Sequence, residues 1–226
     1  MPMTTTVPSL ETPDPAPGDR PVRRGPHALR RELTRARVFE SAIACLHGKG
    51  YSGASTLAVA QHAGISRGAL IKQFPTKASL YASLVEALLD EIREETLAEI
   101  RRFPPGLPRA MARVDHIWAL YKQPKAFAVL EVMLGARGDP ELSERLAQVG
   151  RSRQQIEKQL LGDDFEAMGI KDRRTAGLAV LQIVATVRGL AMERLINKQS
   201  PSLDAAFNLQ RAQTEALLKS LMEQSV

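Results

Sequence analysis

Residues 63–77 of this chain read AGISRGALIKQFPTK, from Ala63 to Lys77. Gly64 breaks the chain, because a turn with positive φ costs glycine little. Ser66 is a good N-cap for a short helix over Arg67–Gln73, and Ser55 does the same for Thr56–His62. Two short helices joined by a tight glycine turn have the layout of a helix–turn–helix. Leu70 and Phe74 are four apart and point the same way, so they should dock on a preceding helix. Arg67, Ala69, Lys72 and Gln73 are left facing outward, with Ile71 at the edge.

Those outward residues suit contact with DNA. Arg67 can hold guanine O6 and N7 in a bidentate pair, and Gln73 can do the same for adenine. Gly68 and Ala69 let the backbone come close, and Ala69 or Ile71 can meet a thymine methyl. Lys72 can serve a phosphate, and the caps Ser55 and Ser66 lie beside them. Pro75-Thr76 caps a long helix from Lys77 to about Arg102. A cation at the start of a helix opposes the macrodipole, so Lys77 makes more sense with a phosphate nearby.

Charge points the same way. The chain carries 31 Lys+Arg and 25 Asp+Glu; residues 1–81 hold 11 and 5 of these, and residues 82–226 hold 20 of each. All of the excess of +6 lies in the first third. A basic segment ahead of a neutral body suggests an anionic partner, nucleic acid first and membrane surface second.

Upstream, Ala28–His47 has a helical stripe (Leu29, Leu33, Ala36, Val38, Phe39, Ala42, Ile43, Leu46), ended by Gly48 and Gly50. Residues 1–26 contain seven of the 14 prolines and no apolar periodicity, so they read as a disordered arm. Arg20, Arg23, Arg24, Arg30 and Arg31 make this approach basic. It either enters a minor groove or is a solvated tail.

Downstream, proline stands near the start of successive helices: Pro108, Pro124, Pro140 and Pro201. There its missing N–H costs nothing and its φ is already helical. Helices are expected at about 108–122, 124–137, 140–161, 172–198 and 201–223, with a weaker turn at DDFEAM. Aromatics are 4% of a chain that is 44% hydrophobic, so Leu, Ala and Val carry the packing.

The helix from Asp172 is apolar over most of its circumference, which calls for burial on all sides. With the helix after Pro201 it forms a natural two-fold interface, an intersubunit four-helix bundle. A short reading helix covers few base pairs, so specificity needs two of them on a two-fold dimer. The middle helices gather Met111, Val114, Trp118, Tyr121, Phe127, Leu134, Phe165 and Met168, an adaptable apolar set. Glu131 and Arg188 interrupt it and should pair within the bundle, meet a ligand's polar end, or snorkel to solvent.

Residues 34–81, TRARVFESAIACLHGKGYSGASTLAVAQHAGISRGALIKQFPTKASLY, resemble the DNA-binding domain of the TetR family of bacterial transcriptional repressors. Gly50-Tyr51, Val59-Ala60 before Ala63-Gly64-Ile65-Ser66, and Phe74 followed by Thr76-Lys77 stand where that family has them. The resemblance implies that Ser55, Arg67, Gly68, Ala69, Ile71, Lys72, Gln73 and Lys77 line the DNA. Two residues depart from the pattern. Ile71 stands where the family usually has an aromatic, most often Tyr, and Leu57 where it more often has a polar residue. Either the supporting helix is slightly rotated or Leu57 is an exposed apolar contact.

Nothing supports an enzyme. His27, His47, His62, His116 and Cys45 lack metal spacing, no cofactor is implied, and no G-x-S-x-G or phosphate loop is present. A single cysteine, no secretory signal and a longest apolar run (Ala176–Val187) too short to span a bilayer give an expectation of a cytoplasmic protein with no membrane partner.

The expected architecture is all-α. Residues 1–26 form a Pro-rich basic arm, 27–80 a three-helix DNA-binding domain, and 81–226 a larger ligand-binding and dimerisation domain. The expected function is a homodimeric repressor on an inverted-repeat operator in double-stranded DNA, released by a small apolar or amphipathic effector. The rivals are a DNA-binding regulator, activator included, that has no effector, and a helical scaffold whose basic arm meets membrane.

Overall fold

The structure, a computed structural model, describes residues 26–197 and 200–224, with side chains for all of these but Pro26, Ala28 and residues 154–160. The arm, with Arg20, Arg23 and Arg24, lies outside the described residues. Among the described residues every regular element is helical: α1 (Pro26–Gly53), α2 (Thr56–His62), α3 (Arg67–Gln73), α4 (Lys77–Ile100), α5 (Leu107–Leu120), α6 (Pro124–Gly135), a 3-10 turn (Ala136–Gly138), α7 (Pro140–Ala167), α8 (Arg173–Ile196) and α9 (Pro201–Glu223).

The starts of these helices follow local chemistry. Ser55, Ser66, Thr76 and Asp139 accept hydrogen bonds from Ala58, Ala69, Ser79 and Leu142 N–H groups, each satisfying a donor the helix itself leaves orphaned. Thr76 and Ser79 also close a reciprocal capping box. Prolines open α6, α7 and α9.

Two helices differ from expectation. The first does not stop at Gly48: it kinks at Gly50 (φ 61°, ψ 175°) and resumes to Gly53. The helix from Pro140 runs through DDFEAM to Ala167, because Asp164 within that stretch is wholly buried and paired with arginines.

The chain forms two compact units, one ending at Ala36 and the other running from Arg37. In the first, Thr34 Oγ1 donates to Arg30 O at 2.8 Å, and Leu29 and Leu33 are exposed rather than packed. Among its described residues the second unit has two apolar cores. One joins Val38, Ala42 and Leu46 of α1 with Val59, Leu70, Leu80 and Leu84, and continues into Val129 and Val132 of α6 and Leu142 of α7. The boundary expected at residue 80 therefore cuts a shared core, with α4 belonging to both sides. The other core joins α5, α7, α8 and α9 through Met111, Val114, Trp118, Phe165, Met168, Ile183, Val187, Phe207 and Leu218.

Candidate nucleic-acid interface

The geometry of α2 and α3 matches the outward face expected of a reader. Gly64 takes φ 63° in the turn. Leu70 and Phe74 are buried, and the Phe74 ring lies 5.8 Å from that of Phe39 on α1. This docking turns Ser66, Arg67, Gly68, Ala69, Ile71, Lys72 and Gln73 to solvent together. Ser55, at the start of α2, is exposed too. Each cap serine spends an oxygen lone pair on its helix, which leaves its hydroxyl hydrogen for an outside acceptor. Leu57 and Ile71 are 46% and 39% exposed. Both residues that depart from the family pattern are therefore on the surface.

Lys77 is the exception. Its ammonium donates to Tyr51 O, and to Ser52 O at 3.1 Å. It also sits 4.1 Å from the centre of the Tyr51 ring. These carbonyls end the resumed turn of α1, where a cation is favourable. They explain a lysine at the start of α4 without any phosphate, so the argument that placed Lys77 on DNA falls away. Burial lowers its pKa, with Asp139 opposing.

Tyr51 ties this domain to the helices beyond it. Its backbone N–H donates to Glu131 Oε1 of α6 at 2.8 Å, and its hydroxyl donates to Asp139 Oδ2 at 2.7 Å. Its ring meets Tyr81 edge-on at 5.3 Å. It also packs so closely on α6 that a Cβ on Gly135 would come within 2.3 Å of it. Burial first, then the Asp139 bond, raise the Tyr51 pKa; the cap bond from Leu142 and the Tyr51 hydroxyl lower that of Asp139. Nearby, the His47 ring lies 5.7 Å from that of Phe127. Sequence reasoning missed Tyr51 as a link, and no local signal marks it, since its partners lie 80 and 88 residues away.

The ten residues expected at a ligand site divide. Met111, Val114, Trp118, Phe165 and Met168 share the second core, and Tyr121 packs on it. Arg188 Nε donates to Tyr121 Oη at 2.8 Å, so two of the candidates pair with each other. Trp118 stacks on Phe207 at 5.0 Å and donates to Asp204 at 2.9 Å. Three candidates belong elsewhere. Glu131 serves Tyr51, Phe127 packs by His47, and Leu134 is 56% exposed.

Within one chain, α8 buries a single face. Ala176, Ala179, Ile183, Val187 and Ala191 are buried, but Leu178, Leu181, Met192, Leu195 and Ile196 are exposed. Counting only an uninterrupted run underrated this helix: at 24 residues it is long and apolar enough to cross a membrane.

The family model described as "Bacterial regulatory proteins, tetR family" matches residues 38–84, the segment from α1 into α4. The HTH-type transcriptional regulator CymR of Pseudomonas putida is 28% identical over 187 residues, covering 82% of this chain and 91% of its own. Among solved structures, a transcriptional regulator from Pseudomonas aeruginosa PAO1 is 22% identical, covers 87% of this chain and 95% of its own, and has a TM-score of 0.68. The transcriptional regulator FadR from Bacillus subtilis, in complex with stearoyl-CoA, is 18% identical. It covers 79% of this chain and 96% of its own, with a TM-score of 0.65. At such identities these two structures speak for the fold.

Proposed function

Because the chain belongs to the TetR family of DNA-binding bacterial transcriptional regulators, we propose that it is a cytoplasmic homodimeric repressor. Two copies of α3 read an inverted-repeat operator, and a small apolar or amphipathic effector releases it. The observation that carries the DNA reading is the joint exposure of Arg67, Gly68, Ala69, Ile71, Lys72 and Gln73 on a helix whose other face is locked by Leu70 and Phe74. Arg67 and Gln73 contact base edges, Lys72 and the Ser55 and Ser66 hydroxyls contact phosphates, and Ile71 meets a thymine methyl in place of an aromatic.

The dimer reading rests on the exposed stripe of α8. Leu178, Leu181, Ala185, Gly189, Met192 and Ile196 recur at helical spacing. Gly189 and Ala185 allow close approach, and Leu209 of α9 is exposed with Ala205, Ala212 and Ala216 at helical spacing from it. A second copy covers these surfaces and builds the four-helix bundle.

The effector acts from the second core, where Met111, Val114, Phe165 and Met168 pack together and methionine lets the packing adapt. Its signal reaches the reader by two routes. One is α4, which packs in both parts of the unit. The other is α6, through the Glu131–Tyr51 bond. Either shifts the spacing of the two α3 helices, so effector and DNA weaken each other by the same factor.

Titrating the protein–DNA complex with candidate effectors, with anionic vesicles as control, tests this reading. Salt-dependent duplex binding that an effector reverses supports it. Binding that no effector reverses leaves a regulator without an effector, and vesicle binding without duplex binding leaves the scaffold.

A further inference from the structure

Asp164 of α7 is fully buried and faces two arginines of α5. Arg109 Nε donates to its Oδ1 at 2.5 Å, and Arg113 Nη2 approaches its Oδ2 at 3.4 Å. Gly106 N–H adds a bond to Oδ1 at 3.2 Å. Among the described residues, two guanidinium cations thus share this one carboxylate, which leaves a surplus positive charge there. The surplus sits on Arg113. Its side chain is 9% exposed, its contact with Asp164 is long, and its Nε has no partner. A buried cation held this loosely is costly unless something else answers it.

The surroundings say what answers it. Arg113 lies between Met111 and Val114 on α5, and Asp164 directly precedes Phe165 on α7, all three apolar residues belonging to the second core. One turn along α5, His116 Nε2 is also buried without a partner. Among the described residues, the buried polar side-chain atoms left unpaired are these two and Arg93 Nε, all on the packed pair α4 and α5.

We propose that this is the polar end of the effector site, and that the effector is an amphipathic monocarboxylate. Its carboxylate takes the Arg113 fork and its hydrocarbon body lies among Met111, Val114, Phe165 and Met168. Guanidinium geometry fits a carboxylate bidentately. One surplus charge calls for one negative charge, which disfavours a dianionic phosphate. The inference rests on the effector reading above and narrows it to a chemical class.

Thermal denaturation of the full chain with octanoate, decanoate and benzoate, each against its primary amide, tests it. The carboxylates should raise the melting temperature and the amides should not. Arg113→Met should abolish that preference, weakening carboxylate binding roughly tenfold to a hundredfold, and should leave the unliganded protein at least as stable. Arg113→Lys, which keeps the charge without the fork, should bind detectably but less well, and it decides the matter if Arg113→Met does not fold. Equal stabilisation by acids and amides, an inert acid panel, or a preference that survives both substitutions overturns the proposal. The same panel added to the protein–DNA complex separates the two levels. Acids that bind through Arg113 but leave the complex intact sink the effector reading alone, and neutral compounds that release DNA while acids do not bind sink the carboxylate alone.

Discussion

Glu131, midway along α6, accepts the backbone N–H of Tyr51 at 2.8 Å across 80 residues of sequence. The bond falls one residue past the kink at Gly50, where the left-handed backbone takes that N–H out of the helical ladder. A carboxylate from another helix supplies the missing acceptor. Glu131→Ala should therefore cost about 1–3 kcal/mol of stability, read from the urea midpoint. It should weaken operator binding without changing its salt dependence, because no phosphate contact is lost. A changed salt slope would place Glu131 on the DNA side of the account.

Lys77 offers the complementary case. Lys77→Met removes the cation that satisfies the Tyr51 and Ser52 carbonyls. The melting temperature should fall, while the slope of log affinity against log salt should stay as it was. A slope reduced by about one per site would restore the phosphate contact.

Arg67→Ala should cost about 1–3 kcal/mol of operator binding and relax specificity at one base position per half-site. Lys72→Ala should instead weaken all sequences alike and reduce the salt slope by about one per chain. Competition binding against single-base variants of the operator distinguishes the two. Uniform weakening by Arg67→Ala would remove its base contact.

Leu181 is 62% exposed on α8, so Leu181→Glu should leave the fold of one chain intact. It should, however, bury a charge in the two-fold interface. Sedimentation should show a dimer for the unaltered protein and monomers for the variant, with operator affinity lost in parallel. Unchanged dimerisation would move the interface elsewhere.

His116 carries a pH signature. Burial holds its imidazole below the ordinary pKa; Glu99 and Glu95 oppose this, and Lys125 adds to it. The folded state therefore binds its proton less readily than the unfolded state. Stability should fall as the pH drops below the unfolded value of about 6.5 and level off below the folded one. His116→Gln should remove that part of the loss, seen by comparing unfolding midpoints between about pH 8 and pH 5. A profile unaltered by the substitution would assign the acid loss to other groups.

The helix–turn–helix was legible because its information is local. Ser55, Ser66 and Thr76 cap helices whose limits follow from those residues, and Leu70 with Phe74 sets which face is hidden. The body was legible as helices through its prolines. What sequence could not reveal depends on partners far along the chain. Gly48 and Gly50 looked like a stop, but Lys77 caps a resumed turn beyond them. Asp164 looked like part of a weak turn, but Arg109 and Arg113 bury it inside α7. Glu131 looked like a ligand contact, but Tyr51 claims it. Leu134 carried the right hydrophobicity for a pocket and lies on the surface, since composition does not say which side of α6 faces in.

Selection of duplexes bound by the full chain from a random pool, followed by sedimentation of the complex, tests the central claim most directly. The account predicts enrichment of an inverted repeat, two chains on each duplex, and loss of binding when one half-site is scrambled. Enrichment of a site without two-fold symmetry, or undiminished binding to a single half-site by one chain, would contradict it.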